Sequence, residues 1–193
     1  MKKIIRNLFL PEKQKNQLRK TYFWSVLSGG LYSMSTFLMF WVTTFFCGTY
    51  EAGVFTMAMS VGQQLVTIGY FNVRTYQVSD VKQTYSFEDY FCFRILTCLA
   101  MGISGGVWMF AGEFRGEKLA AVSILLIFKV GEAFADVLEG LYQQRERYDA
   151  AARAMFWETL FFLGTFALVL AVSRNLILAL ASMTLVYLAS VSV

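Results

Sequence analysis

The chain has 193 residues, of which 57% are hydrophobic and 16% charged, with a net charge of +4 and no histidine. Soluble domains carry roughly 25% charged residues. Here the polar residues are confined to short connectors, which excludes an ordinary water-facing surface and sets apolar side chains against lipid. The basic residues are divided among several flanks instead of being gathered with aromatic platforms, which excludes a nucleic-acid groove.

The absence of histidine removes the usual zinc ligand and the usual neutral-pH proton carrier. Cys47, Cys92 and Cys98 are odd in number and fit no metal spacing, so they read as free thiols packed as small apolar residues. No metal and no cofactor is expected. Serines abound without a histidine to activate them, and no strand-led phosphate loop is present, so the chain does not read as an enzyme.

Residues 1–20 form a basic lead-in with Lys2, Lys3, Arg6, Lys13, Lys15, Arg19 and Lys20. Within it, Ile4 to Leu10 is expected to lie on the membrane surface and to end near Pro11, the only proline. The apolar run Leu8 to Leu10 is too short for a signal-peptide core, which predicts an uncleaved N-terminus. Residues 21–193 read as an all-α polytopic membrane unit of six helices. They are predicted over Tyr22–Phe46, Tyr50–Val73, Tyr90–Ala111, Leu119–Tyr142, Ala154–Val172 and from Leu176 to the end. The first five have roughly the 20 residues needed to cross about 30 Å of hydrocarbon.

The gaps alternate in charge. The lead-in and the gaps after the second and fourth helices, with Arg74, Lys82, Arg145, Arg147 and Arg153, hold twelve Lys/Arg, against three (Arg115, Lys118, Arg174) in the opposite gaps. The positive-inside rule then places the N-terminus and the even gaps in the cytoplasm. The outer connectors are short, so helices one and two, three and four, and five and six are expected to form antiparallel hairpins. Tyr22, Trp24, Tyr50, Tyr70, Tyr90, Trp108, Tyr142 and Trp157 fall near helix ends and read as interfacial anchors. Gly62, Gly69, Gly102 and Gly106 read as close helix contacts. The sequence ends at Val193 inside an apolar run, which suggests the N-terminal part of a longer chain.

The fourth helix departs from the apolar rule. Lys129, Glu132, Asp136 and Glu139 fall in a stripe about 80° wide, and Lys129 lies about 16 Å along the helix from Lys118. Charges at that depth cost about 2.5–3.5 kcal/mol each on insertion scales, so the stripe must face the bundle interior or a wet cavity. Lys129 and Glu132, three apart, can pair on their own helix. Two readings stand side by side: a polar track lining a substrate or ion path, and an internal salt-bridge network pinning helix four to helices three and five. Arg94 in helix three and Glu158 in helix five lie at matching depth and could join Asp136 and Glu139. For Arg94 the alternative is snorkelling to the headgroups.

Three stretches carry a family resemblance. The first is Glu51-Ala52-Gly53-Val54-Phe55, continuing to Gly62-Gln63-Gln64-Leu65 and Gly69-Tyr70-Phe71. The second is Arg74 to Val81 with Tyr85 to Tyr90 and Arg94. The third is Glu139-Gly140-Leu141-Tyr142-Gln143-Gln144-Arg145-Glu146-Arg147-Tyr148. Together they resemble the polysaccharide-biosynthesis (Wzx-type) oligosaccharide-lipid flippases of the multidrug/oligosaccharidyl-lipid/polysaccharide exporter superfamily.

That resemblance covers essentially the whole chain. It implies one six-helix lobe of a MATE/flippase-like fold in the bacterial cytoplasmic membrane. It also implies translocation of an undecaprenyl-diphosphate-linked oligosaccharide for surface polysaccharide (lipopolysaccharide) biosynthesis, with glycosyltransferases and a polymerase of the same pathway as partners. A diphosphate head would favour cations at the inner mouth, for which Arg74, Arg94 and Arg145 are placed. The acidic track of helix four suits a cation or proton better than a phosphate. The alternatives are a small-molecule cation antiporter of the same superfamily and a non-transporting membrane scaffold subunit.

Overall fold

The structure, a computed structural model, describes residues 12–80, 84–145 and 147–191, with side chains from Leu18 onward. The lead-in segment Ile4–Leu10, Pro11 and Lys82 lie outside the described residues. Among those described the chain is all-α, with no strand. Its helices are α1 (Glu12–Cys47), α2 (Thr49–Tyr70), α3 (Val73–Ser79), α4 (Phe87–Ala111), α5 (Gly116–Gln144), α6 (Tyr148–Ser173) and α7 (Leu176–Val191).

Three stretches are long and apolar enough to cross a membrane: Leu18–Cys47, Phe87–Ala111 and Tyr148–Ser173. Their outward faces carry large apolar side chains in the open. Phe37, Trp41 and Phe45 stand out from α1, Ile103, Val107 and Phe110 from α4, and Leu168 and Val172 from α6. Continuous apolar surface of this kind has no place in water, and the protein is membrane-embedded on that ground. The remaining expected spans differ for chemical reasons. The described part of α7 is apolar but 16 residues long. Helix α5 holds the charged stripe. Helix α2 shows a polar face outward, with Thr56, Ser60, Gln63, Gln64 and Thr67 all exposed.

The expected hairpins are present, with α1 against α2, α4 against α5 and α6 against α7. Gly48 is the whole link between α1 and α2, and its φ of 91° with ψ of −178° belongs to a region that only glycine occupies without strain. At the other end of α2 the expected continuous helix to Val73 is interrupted. Phe71 and Asn72 both adopt left-handed backbone, at φ of 37° and 54°, and α3 restarts as a short separate helix. Asparagine tolerates this conformation better than most residues. The break turns α3 back onto α5.

Helix α5 packs against α2, α3, α4, α6 and α7 and is the centre of the bundle. The core fills the space between α2, α5, α6 and α7 with Phe55, Leu125, Phe166, Leu180 and Met183, all fully buried or nearly so. The glycine contacts fall differently from expectation. A Cβ on Gly102 or Gly106 would meet nothing within 4 Å, whereas one on Gly105 would meet Leu126 at 2.6 Å. The buried face of α4 runs Arg94, Thr97, Cys98, Met101, Gly105, and the two expected glycines sit off it. Two expected anchors are also internal: Tyr90 is buried and donates to Asp80 (3.1 Å), and Tyr70 lines an internal cavity.

The loop before α4 is built on Asp80 and Ser86. Ser86 and Asp89 form a reciprocal capping box. The Asp80 carboxylate accepts the backbone N–H groups of Thr84 (3.0 Å) and Tyr85 (3.1 Å). Those amides hold the Asp80 carboxyl below its ordinary range. A depressed folded-state value means that the contribution is complete above the unfolded pKa, about pH 4, and is lost as pH falls through the lower folded value.

Two outcomes are expected from these contacts. Asp80→Ala should raise hydrogen-exchange rates at the Thr84 and Tyr85 amides, in the loop before α4, by about tenfold, with exchange in α5 unchanged. At Gly140 an added Cβ would meet Gln77 Cδ at 2.9 Å and the end of its amide closer still. Gln77 is fully buried and cannot retreat. Gly140→Val should lower thermal stability in detergent by about 1–3 kcal/mol, whereas Gly106→Val should leave the melting temperature within experimental scatter.

Candidate functional site

Asp136 is the hub of a charged cluster. Its Oδ2 accepts from Arg94 Nη2 at 2.6 Å and its Oδ1 from Arg74 Nη1 at 3.2 Å. Arg74 also reaches Glu139 Oε2 at 2.7 Å and Gln143 Oε1 at 3.4 Å. Arg94 comes from α4, Arg74 from α3, and both carboxylates from one face of α5, as their spacing dictates. The turn at Phe71–Asn72 is what brings Arg74 to this face.

Arg94 is fully buried, which overturns the snorkelling alternative. It donates to the Gly69 carbonyl of α2, as does Thr97 (2.8 Å), and its guanidinium lies 5.9 Å from the centre of the Tyr70 ring. A carbonyl near the C-terminus of a helix lacks an intrahelical partner, so Gly69 is a natural acceptor. The Nε of Arg94 has no partner among the described residues.

Beside it, Gln77 packs against Gly140. With its amide oriented to satisfy both ends, it donates to the Val137 carbonyl (3.3 Å) and accepts from the Leu141 N–H (3.2 Å). Helix α3 is therefore fastened to α5 twice, by Gln77 and by Arg74.

Two turns away on α5, Lys129 Nζ and Glu132 Oε2 pair at 2.6 Å, both buried. The other oxygen of Glu132 accepts from the Tyr32 hydroxyl of α1 at 3.0 Å. Glu132 thus joins α1 to α5, a link the sequence reading did not name.

Two cavities flank this pair. One, of about 190 Å³, is lined by Tyr32, Tyr70, Arg74, Glu132, Asp136, Glu139, Glu158 and Tyr187 among others. The second, of about 140 Å³, is lined by Lys129, Glu132, Gln63, Ser33 and Thr36 among others. They share Tyr32, Glu132 and Phe162. A third space, an open cleft of about 600 Å³ between α1 and α2, adjoins the second through Ser33, Thr36, Met59 and Gln63.

Of the sequence-expected residues, Lys129, Glu132, Asp136, Glu139, Arg74 and Arg94 fall in one connected charged interior. Glu158 of α6 lines the first cavity with them but forms no ion pair among the described residues. Arg145 stands apart: it is exposed at the C-terminus of α5, with no carboxylate partner among the described residues. Arg74 and Arg94, expected to meet a diphosphate, form ion pairs with Asp136 and Glu139. Sequence reasoning missed Tyr32, Tyr70, Tyr187 and Gln77 as members of this interior. Tyr70 sits at a helix end, where an aromatic ring reads as an anchor.

No family model, curated protein or solved structure matches the chain.

Removing one end of a buried ion pair leaves the other charge uncompensated and costs about 3–5 kcal/mol, while replacing both ends with apolar groups is close to neutral. Asp136→Ala should therefore destabilise the detergent-solubilised protein by about 3–5 kcal/mol. Adding Arg94→Leu should recover part of that loss, as read by thermal melts of the two variants side by side. Asp149→Ala, which breaks an exposed pair with Arg153, should change stability by less than about 1 kcal/mol.

Proposed function

We propose that this protein is one six-helix lobe of a transporter, of the MATE/flippase-like kind, that moves an undecaprenyl-diphosphate-linked oligosaccharide across the bacterial cytoplasmic membrane. The observation that carries the reading is the polar cleft between α1 and α2. A helix surrounded by lipid alone has no use for an outward row of hydroxyls and amides.

The Thr56 and Ser60 hydroxyls donate to their own helix, to Ala52 O and Thr56 O, both at 2.8 Å, which leaves their lone pairs open. Ser33, Thr36 and Gln63 have side chains with no hydrogen-bond partner among the described residues, and Phe37, Phe40 and Phe55 complete the walls. Acceptors, donors and aromatic faces together suit a sugar, whose hydroxyls both donate and accept. In this reading the diphosphate meets Arg145, the one of the three expected arginines that no carboxylate neutralises among the described residues.

Binding to the chain in lipid nanodiscs tests the reading. An undecaprenyl-diphosphate-linked oligosaccharide should bind about tenfold more tightly than undecaprenyl phosphate without sugar, and Gln63→Leu should remove most of that difference. Equal affinity for the two lipids in the wild type would rule the reading out.

A further inference from the structure

The charges around the first cavity do not balance. Its walls carry four carboxylates, Glu132, Asp136, Glu139 and Glu158, and one cation, Arg74. Lys129 and Arg94 stand behind the wall, paired to Glu132 and Asp136. Arg74 serves Asp136 and Glu139 together. Three cations thus meet four carboxylates, and Glu158 is the one without an ion pair or hydrogen bond among the described residues.

A second observation points into the same space. Tyr187, on α7, lines the cavity and is 6% exposed, yet its hydroxyl has no hydrogen-bond partner among the described residues. The Tyr187 ring is buried while its hydroxyl opens into the cavity without a protein partner among the described residues, in the same lining as Glu158.

The lining suits a group that brings one positive charge and hydrogen-bond donors, because the walls are rich in acceptors. The described Asp, Glu and Cys residues form no group able to hold a metal ion, so a bare metal ion fits poorly. The rings of Tyr32, Tyr70 and Phe162, also in the wall, favour an organic cation, whose charge an aromatic face attracts. The volume of about 190 Å³ limits it to a small one.

We propose that this cavity binds a small primary ammonium cation, held by the Glu158 carboxylate and the Tyr187 hydroxyl oxygen. The site is separate from the α1–α2 cleft and does not depend on what that cleft carries.

Calorimetric titration of the detergent-purified chain with methylammonium chloride tests the proposal, with thermal melts confirming that each variant is folded. The wild type should bind saturably. Glu158→Gln should weaken binding by about tenfold and Tyr187→Phe by about threefold, the loss of a charged and of a neutral hydrogen bond. Tetramethylammonium, with equal charge and no N–H, should bind more weakly than methylammonium. Gln63→Leu, which lies outside this cavity, should leave methylammonium binding unchanged, so that failure here and failure of the flippase reading are told apart. The proposal is overturned if the wild type shows no saturable binding, if sodium chloride competes as well as methylammonium, or if Glu158→Gln binds as the wild type does. Should Glu158→Gln not fold, methylammonium must still raise the melting temperature of the wild type more than sodium chloride at equal ionic strength, and equal melting temperatures overturn the proposal.

Discussion

The bundle depends on Asp136 accepting from two arginines that arrive from different helices. A carboxylate, a fully buried guanidinium and a second, half-buried one share a low-dielectric space, where each alone would be intolerable. Their mutual pairing is what permits α5 to carry charge through the centre of an apolar fold. It also dictates the neighbours. Arg94 can reach Asp136 only with α4 against α2, because the same guanidinium donates to Gly69. Arg74 can do so only after the chain has reversed at Phe71–Asn72. The pairing thus ties together the positions of three helices around α5, a degree of specification that apolar packing in lipid does not provide, since lipid tails compete equally for apolar faces.

The polar interior and the lipid-facing exterior are two sides of one constraint. Backbone groups are satisfied within the helices, and nearly every serine or threonine hydroxyl that is buried donates to a carbonyl of its own helix, as Thr43, Thr159 and Thr184 do. Charged groups cannot do this and must find one another. They gather on the face of α5 opposite lipid, and the cavities open where their geometry leaves gaps. The proposed cation site and the proposed sugar cleft lie on either side of the Tyr32–Glu132 contact, which separates an acidic space from a neutral, hydroxyl-lined one.

Much of this could be read from residue order. The apolar runs locate most helix ends to within three residues, but α1 and α6 begin ten and six residues before their expected starts at Tyr22 and Ala154, because their first turns are polar, and the short connectors foretell the hairpins. The spacing of Lys129, Glu132, Asp136 and Glu139 places them on one inward face. What escaped depends on pairings between distant segments. Nothing local at Phe71–Asn72 announces a reversal, since neither residue is glycine or proline; only the tolerance of asparagine for left-handed backbone hints at it. Tyr32, Tyr70 and Tyr187 come from three helices and converge only once these are packed. Gly105 rather than Gly102 meets its neighbour because the face of α4 is set by Arg94, and helical phase cannot be chosen from glycines alone. The pairing of Arg74 and Arg94 with Asp136 and Glu139 was hidden for a similar reason: a cation's partners depend on which carboxylates fold beside it.

The link at Gly48 has a mechanical consequence. One residue between helices of 36 and 22 residues leaves no slack, so the joined ends of α1 and α2 stay together whatever the rest does. Any relative movement of this pair is a splaying about that point, like the jaws of a clothes-peg, with the widest excursion at the end farthest from Gly48. Tyr32 lies toward those jaws on one side and Tyr70 on the other. A swing of a few degrees there would part Tyr32 from Glu132 and merge the acidic and neutral spaces into one chamber.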